Sequence, residues 1–328
     1  MPRLSRILVT GATGFVGTHL LSLLREEGHH TISGTTRRPA SRLPWFEQRG
    51  KLFHGDLQDQ SFVDEVVSTV RPEFVIHLAA QAAVGQSWQD PRGTLINNLV
   101  AQLNVLESVS RQAPDARVLV SCSSHEYGPV EPSDVPLSED APLRPDSPYA
   151  LSKVIQDYLG LHYFLGRHVA VVRVRAFNLI GPGQDGQFVI PSFARQIAEA
   201  EAGLGSSTIL VGNLDVRRDF TDVRDAVAAY WLLTQRGHAG QVYNVGGGTV
   251  CSVGDILSGL VRLAKLSIEV VVNPSLVRPS EPPLIESDTR RIRQDVEWQP
   301  QIPIEDSLAD ILDDWRRRIA AGPDSGGR

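Results

Sequence analysis

Short β-branched apolar runs alternate with amphipathic stretches through the first half of the chain, and that alternation predicts a sheet wrapped in helices. Ile7-Leu8-Val9 reads as a first strand, ended by Gly11. Over residues 14–27, Phe15, Val16, Leu20, Leu23 and Leu24 share one helical face, and Gly28 supplies the C-cap. Further strands are predicted from His30 to Gly34, Lys51 to His54, Phe74 to Leu78, Val118 to Val120 and Val169 to Val174. Phe74-Val75-Ile76-His77-Leu78 is apolar enough to be buried on both faces, as strands of parallel sheets are. Helices are predicted up to Val70, with Ser61 and Asp64 read as a capping box, over 94–110, and from Pro148 to about Leu165. Regular alternation of strand and helix implies the α/β class: a Rossmann-type, doubly wound parallel sheet with helices on both faces.

The pattern loosens after about Gly181. Thr208 to Val211 and Ile268 to Val272 read as strands separated by helices and Pro-rich loops, which predicts a smaller α/β substrate-binding lobe. The expected division assigns 1–178, with returning segments at about 212–250, to the first domain. It assigns about 179–211 and 251–320 to the lobe and 321–328 to a tail. A length of 328 residues suits such a pair. The formal charge of −6, with no basic stripe, argues against a nucleic-acid partner. No apolar run reaches the ~20 residues of a membrane span, and the N-terminus runs into a strand without an apolar signal core. Cys122 and Cys251 are too few and too far apart for a disulfide framework or a metal centre, so a cytoplasmic location and no metal are expected.

The chemistry starts at Gly11-Ala12-Thr13-Gly14-Phe15-Val16-Gly17, between the first strand and its helix. Gly11 allows the tight turn, Gly14 lets backbone approach a pyrophosphate, and Gly17 lets the helix pack close to the sheet. The helix N-terminus then offers N–H groups to the phosphates, so a nicotinamide dinucleotide is expected here. The second strand is followed by Arg37 and Arg38 rather than the Asp or Glu that would receive an NAD ribose hydroxyl, which favours NADP(H), with NAD(H) as a further option. The bland alternative is a solvated loop. Asp56 is positioned to accept from an adenine amino group or to cap the next helix. Tyr149 and Lys153 stand four apart at a helix start and face one side, where an ammonium lowers a phenol pKa and equips it to exchange protons with a substrate oxygen. Ser123, just past the fifth strand, is placed to polarise the same oxygen, or is an ordinary strand-end residue.

Together, Thr10 to Gly17, Gly55-Asp56-Leu57, His77-Leu78-Ala79-Ala80, Asn98, Ser123 to Gly128 and Tyr149 to Lys153 resemble the extended short-chain dehydrogenase/reductase (NAD-dependent epimerase/dehydratase) family, over nearly the whole chain. The resemblance implies a Ser123-Tyr149-Lys153 triad, a cofactor lined also by Leu57, Leu78, Ala79, Ala80, Asn98, Tyr149 and Lys153, and a homodimer through helices at about 94–110 and 149–165. Phe177 to Gln184, Phe188 to Ile197, Val211 to Leu214, Arg218 to Asp225 and Leu276 to Pro283 are similar to members acting on GDP-mannose derivatives. On that similarity Asn178, Arg218 and Arg278 hold the diphosphate and nearby sugar, as guanidinium and amide donors suit. Arg218 also has the bland reading of an ion pair.

One departure separates the reactions of the family. Dehydratases carry a carboxylate base where this chain has Ser124-His125, and Glu126, one residue on, is expected to point elsewhere on a strand-like segment. Histidine as a residue type can serve as a base near neutral pH, but the simpler reading has Ser124 and His125 lining the sugar pocket. The resemblance therefore implies NADPH-dependent reduction of the C4 keto group of a GDP-linked 4-keto-6-deoxy sugar, GDP-4-dehydro-6-deoxy-D-mannose to GDP-D-rhamnose. The alternatives are a nucleotide-sugar 4-epimerase, which would retain bound NAD, a GDP-mannose 4,6-dehydratase, and a non-enzymatic NADP-sensing regulator.

Overall fold

The structure is a computed structural model that describes residues 4–28, 30–37, 50–276 and 283–322. Arg38, Arg278 and the end of the expected tail lie outside them.

Seven parallel strands form the main sheet: β1 (Ser5–Thr10), β2 (His30–Thr36), β3 (Gly50–His54), β4 (Phe74–His77), β5 (Arg117–Ser123), β6 (Ala170–Ala176) and β10 (Val242–Val245), in the order β10-β6-β5-β4-β1-β2-β3. The order reverses between β1 and β4, and that switch opens a crevice at the carboxyl ends of the strands. The sheet is sandwiched by two apolar layers. On one face α1 (Phe15–Glu27) and α7 (Val223–Arg236) pack Leu20, Leu21, Leu24, Ala226, Val227 and Tyr230 onto Ile7, Val9, Ile76 and Leu119. On the other, α2 (Gln60–Val70), α4 (Pro91–Gln112) and α5 (Pro148–Arg167) cover Leu8, Val75, Val118 and Val120. Each such fully buried aliphatic side chain contributes about 1.5–3 kcal/mol. The short α3 (Val84–Gln89) precedes α4.

Gly28 ends α1 at φ 74°, the left-handed cap expected from sequence. The start of α2 corrects the expected capping box. Asp59, not Ser61, is the N-cap, and its carboxylate accepts from the Ser61 and Phe62 N–H groups. Asp64 instead reaches α4, accepting from Ser108 and from Arg111 at 2.8 Å. A cap and a cross-helix ligand use the same residue type, so spacing alone did not separate them.

The second half builds a smaller layer. β7 (Asn178–Ile180), β9 (Arg217–Asp222), β11 (Val250–Ser252) and β13 (Leu284–Ile285) form one sheet, and β8 (Thr208–Val211) pairs with β12 (Glu269–Val272). These pack with α6 (Val189–Glu201), α8 (Val253–Leu263) and α10 (Ile304–Ala320) around Phe193, Ile197, Leu257 and Ile311. Two segments fall on the other side of the division expected from sequence. β9 belongs to the lobe sheet rather than to the returning segment. Residues 290–298, expected in the lobe, place Ile292, Val296 and Trp298 in the core of the main sheet, with α9 (Arg290–Val296) against β10. Their apolar period is the same in either home, and only packing partners distinguish them.

Candidate active site

At the switch point, Gly11 takes φ 67°, a left-handed conformation that glycine alone adopts freely. A side chain there would also meet the Ala79 Cα at 3.0 Å. Thr10 makes this close approach possible. Its hydroxyl pairs with His77 Nδ1 at 2.9 Å and accepts from the Leu78 and Ala79 N–H groups at 3.2 and 3.3 Å. The Leu78-Ala79-Ala80 loop is thereby held beside the Gly-rich turn. No local sequence pattern marks Thr10 or His77 for this role, since the two are 67 residues apart. Burial pushes the His77 imidazole down to about 3, so it is neutral.

Helix α1 starts at Gly14 with no side-chain cap and no acidic residue in its first turn. Its first N–H groups and positive dipole end are therefore left for an anion, which is the fit a pyrophosphate requires. Thr13 bonds Thr36 across the turn at 2.7 Å, and Phe15 and Val16 pack beneath it. Gly17 tolerates no Cβ, which would sit 2.3 Å from the Gly11 carbonyl oxygen. Gly17→Ala is expected to cost about 1–3 kcal/mol and to remove the stabilisation that added NADPH confers. Thermal unfolding with and without cofactor checks both effects.

At the far side of the crevice, Arg37 is half exposed, donates to Asn97 Oδ1 at 3.0 Å and stands 3.9 Å from the Asp56 carboxylate. Asp56 also accepts from the Gln58 N–H, while Leu57 is a core residue. Asn98 is fully buried. It accepts from the Gln81 N–H at 2.7 Å and donates to Ser152 Oγ at 2.9 Å, joining the loop after β4 to the helix that carries Tyr149. This geometry makes Asn98 a residue that positions the site's walls.

Helix α5 begins at Ser147, whose hydroxyl accepts from the Ala150 N–H, and Pro148 pre-sets the first turn. That start brings Tyr149 to Ser123 at the end of β5. Tyr149 is buried, and burial pushes its hydroxyl well above the ordinary phenol value, partly offset by a hydrogen bond with Ser123. The expected lowering by Lys153 is thus not what governs Tyr149 in this structure. Lys153 sits with Nζ 6.0 Å from the Tyr149 ring centroid and donates to the Ser121 carbonyl at 2.8 Å. Desolvation lowers its own pKa. His125 is exposed and sets its ring edge-on to Tyr149, centroids 5.8 Å apart, while Ser124 is buried beside it. The segment Ser124–Tyr127 is a 3-10 turn, not strand-like as expected, and it carries Glu126 inward to a fully buried position.

The lobe's sheet supplies the remaining groups. β7 pairs with β9 so that Asn178 is level with Phe220, and Asn178 donates to the Asp219 carbonyl at 3.2 Å. Arg218, two residues back on β9, is buried and donates to the Arg217 carbonyl.

The chain matches the family described as GDP-mannose 4,6 dehydratase over residues 8–311. It is 35% identical to the GDP-6-deoxy-D-mannose reductase of Pseudomonas aeruginosa over 314 residues, covering 96% of this chain and 98% of that one. Among solved structures it superposes with TM-score 0.84 on RMD from Pseudomonas aeruginosa complexed with NADPH, at 34% identity over 96% of this chain and 99% of that one. It also superposes with TM-score 0.82 on the UDP-glucose 4-epimerase of Thermus thermophilus complexed with NAD, at 27% identity over 95% and 99% of the two chains. Fold and site together define an NAD(P)-dependent enzyme of the extended short-chain dehydrogenase/reductase type. Within that class, the chain belongs to the GDP-mannose 4,6 dehydratase family.

Proposed function

We propose that this protein reduces the C4 keto group of GDP-4-dehydro-6-deoxy-D-mannose with NADPH, giving GDP-D-rhamnose. The observation that carries the reading is that Tyr149, bonded to Ser123, has the imidazole of His125 at its edge where dehydratases of the family carry a carboxylate base. The similarity to the Pseudomonas aeruginosa reductase supports it.

Gly11, Thr13, Gly14, Phe15, Val16 and Gly17 would hold the pyrophosphate of NADPH, Arg37 the 2′-phosphate, Asp56 the adenine, and Leu57, Leu78, Ala79 and Ala80 the walls around it. Bound NADPH supplies a hydride. The chain's own residues do the rest. Ser123 donates to the C4 carbonyl oxygen, and Tyr149 delivers its proton to that oxygen as the alkoxide forms. Lys153, anchored on Ser121, stands near Tyr149 and would hold the nicotinamide ribose. Ser124, His125, Asn178 and Arg218 would contact the sugar and diphosphate. Arg278, given the same role, lies outside the described residues.

The direct test mixes protein, NADPH and GDP-4-dehydro-6-deoxy-D-mannose, follows the loss of reduced-nicotinamide absorbance, and identifies the product. No consumption overturns the reading. Water loss from GDP-mannose, or 4-epimerisation without added cofactor, assigns one of the other family reactions. Arg37→Ala is expected to raise the NADPH Kd about 10- to 100-fold, the scale of one charge-assisted hydrogen bond, and to leave NADH binding unchanged. Fluorescence titration of both cofactors checks this.

The described residues contain no helix long and apolar enough to cross a membrane, and both cysteines are free. The free thiols support a cytoplasmic setting. A homodimer through α4 and α5 is supported by large apolar side chains left exposed on and beside them, with Trp88 at 62%, Tyr158 at 58% and Leu165 at 64%. Sedimentation of the native chain tests it.

A further inference from the structure

Directly behind Ser123 lies a buried cluster of charges that the reaction above does not use. Glu126 is fully buried, and its Oε1 accepts the Ser123 N–H at 2.9 Å. In return the Ser123 hydroxyl accepts the His125 N–H, so serine and glutamate clasp the two ends of the 3-10 turn. The other carboxyl oxygen, Oε2, stands 3.2 Å from Arg175 Nε. Arg175 also binds Asp157 on α5 at 2.7 Å, and Asp157 binds Arg173 through its second oxygen. Two carboxylates thus face two guanidinium groups, in a place where solvent reaches neither acid. Cys122, Glu126 and Asp157 approach one another closely enough to ligate a metal, but Arg175 already supplies the cation between the two acids.

We propose that Glu126 is a positioning residue for Ser123. Its carboxyl fixes the end of β5 from which the serine hydroxyl faces Tyr149, and it ties that strand end to the buried Asp157–Arg175–Arg173 cluster on α5 and β6. The same helix α5 carries Tyr149 and Lys153. The cluster therefore braces both walls of the reaction site against each other, a serine on one side and a tyrosine on the other. Burial and the neighbouring Asp157 carboxylate raise the Glu126 pKa to about 8, against the pull of Arg175. In the protonated form Glu126 accepts from Ser123 with one oxygen and offers a proton toward Asp157 with the other. A glutamine amide keeps the acceptor for the Ser123 N–H and a donor toward Asp157, and gives up only the approach of Oε2 to Arg175, which retains Asp157.

The inference rests on the reductase reading, and its test separates the two. Glu126→Leu, which fills the space without an acceptor, is expected to lower kcat about 10- to 100-fold, the scale of a small misplacement of a reacting group. KM for the nucleotide sugar and Kd for NADPH should stay within about threefold, and Glu126→Gln should restore kcat to within about threefold of the parent. In a Ser123→Ala background, Glu126→Leu should have almost no further effect, because it acts through that serine. An equal loss in both backgrounds overturns the proposal. If the leucine variant does not fold, the glutamine variant decides alone, and a loss beyond about tenfold overturns it. Hydrogen exchange at the Ser123 amide is independent of the substrate's identity. Slow exchange in the parent and the glutamine variant supports the bond, and exchange at the rate of an open amide overturns it even if the true substrate is another sugar.

Discussion

Tyr149→Phe is expected to lower NADPH-dependent carbonyl reduction by about 10²–10⁴-fold, the usual contribution of a placed general acid. The change removes one oxygen from a buried ring and leaves the packing of α5 intact. Cofactor affinity should therefore be unchanged, because the Gly-rich turn and Arg37 lie on other elements. Stopped-flow oxidation of NADPH with the 4-keto sugar, together with a separate NADPH titration, checks both halves. Activity within about threefold of the parent would remove Tyr149 from the chemistry.

The second large effect concerns stability. Asp157→Leu should destabilise the fold by about 3–5 kcal/mol, because it strips the buried Arg173 guanidinium of its acid and leaves Arg175 with Glu126 alone. Asp157 is completely buried and engages Arg173 and Arg175 through separate oxygens. A hydrophobic side chain of similar volume cannot compensate, since the arginines retain charge at any accessible pH. Urea unfolding monitored by tryptophan fluorescence measures the change. A shift below about 1 kcal/mol would mean that water reaches the cluster.

These two residues mark different limits of reading the chain. Tyr149 and Lys153 are recognisable because their relation is local. Four residues on a helix bring them to one face, and Ser147-Pro148 announces where that helix starts. The Gly-rich turn is legible for the same reason, since a strand, three glycines and an amphipathic helix follow one another without interruption. Asp157, Arg173 and Arg175 carry no such signal. A charged residue in a helix and two in an apolar strand look like solvated positions until β6 is placed behind α5. Glu126 is hidden from the sequence for a related reason. Strand-like continuation past β5 would have turned it away, whereas the chain tightens into a 3-10 turn closed by Ser123 and Glu126 themselves.

Legible in the sequence alone were the strand–helix alternation of the first half, the Gly-rich turn after β1, the four-residue spacing of Tyr149 and Lys153, and the family, all of which depend on spacings within a few residues or on whole-chain resemblance. Tertiary structure decided which segments return to the main sheet, that Asp59 caps α2, that Thr10 and His77 hold the Leu78–Ala80 loop, and that burial governs Tyr149. Apart from the Asp59 cap, which chooses between neighbouring side chains, those outcomes depend on desolvation and on partners distant in sequence, for example Thr10 and His77 at a separation of 67. An amphipathic period reports that a face is buried, but neither what buries it nor how dry the result is.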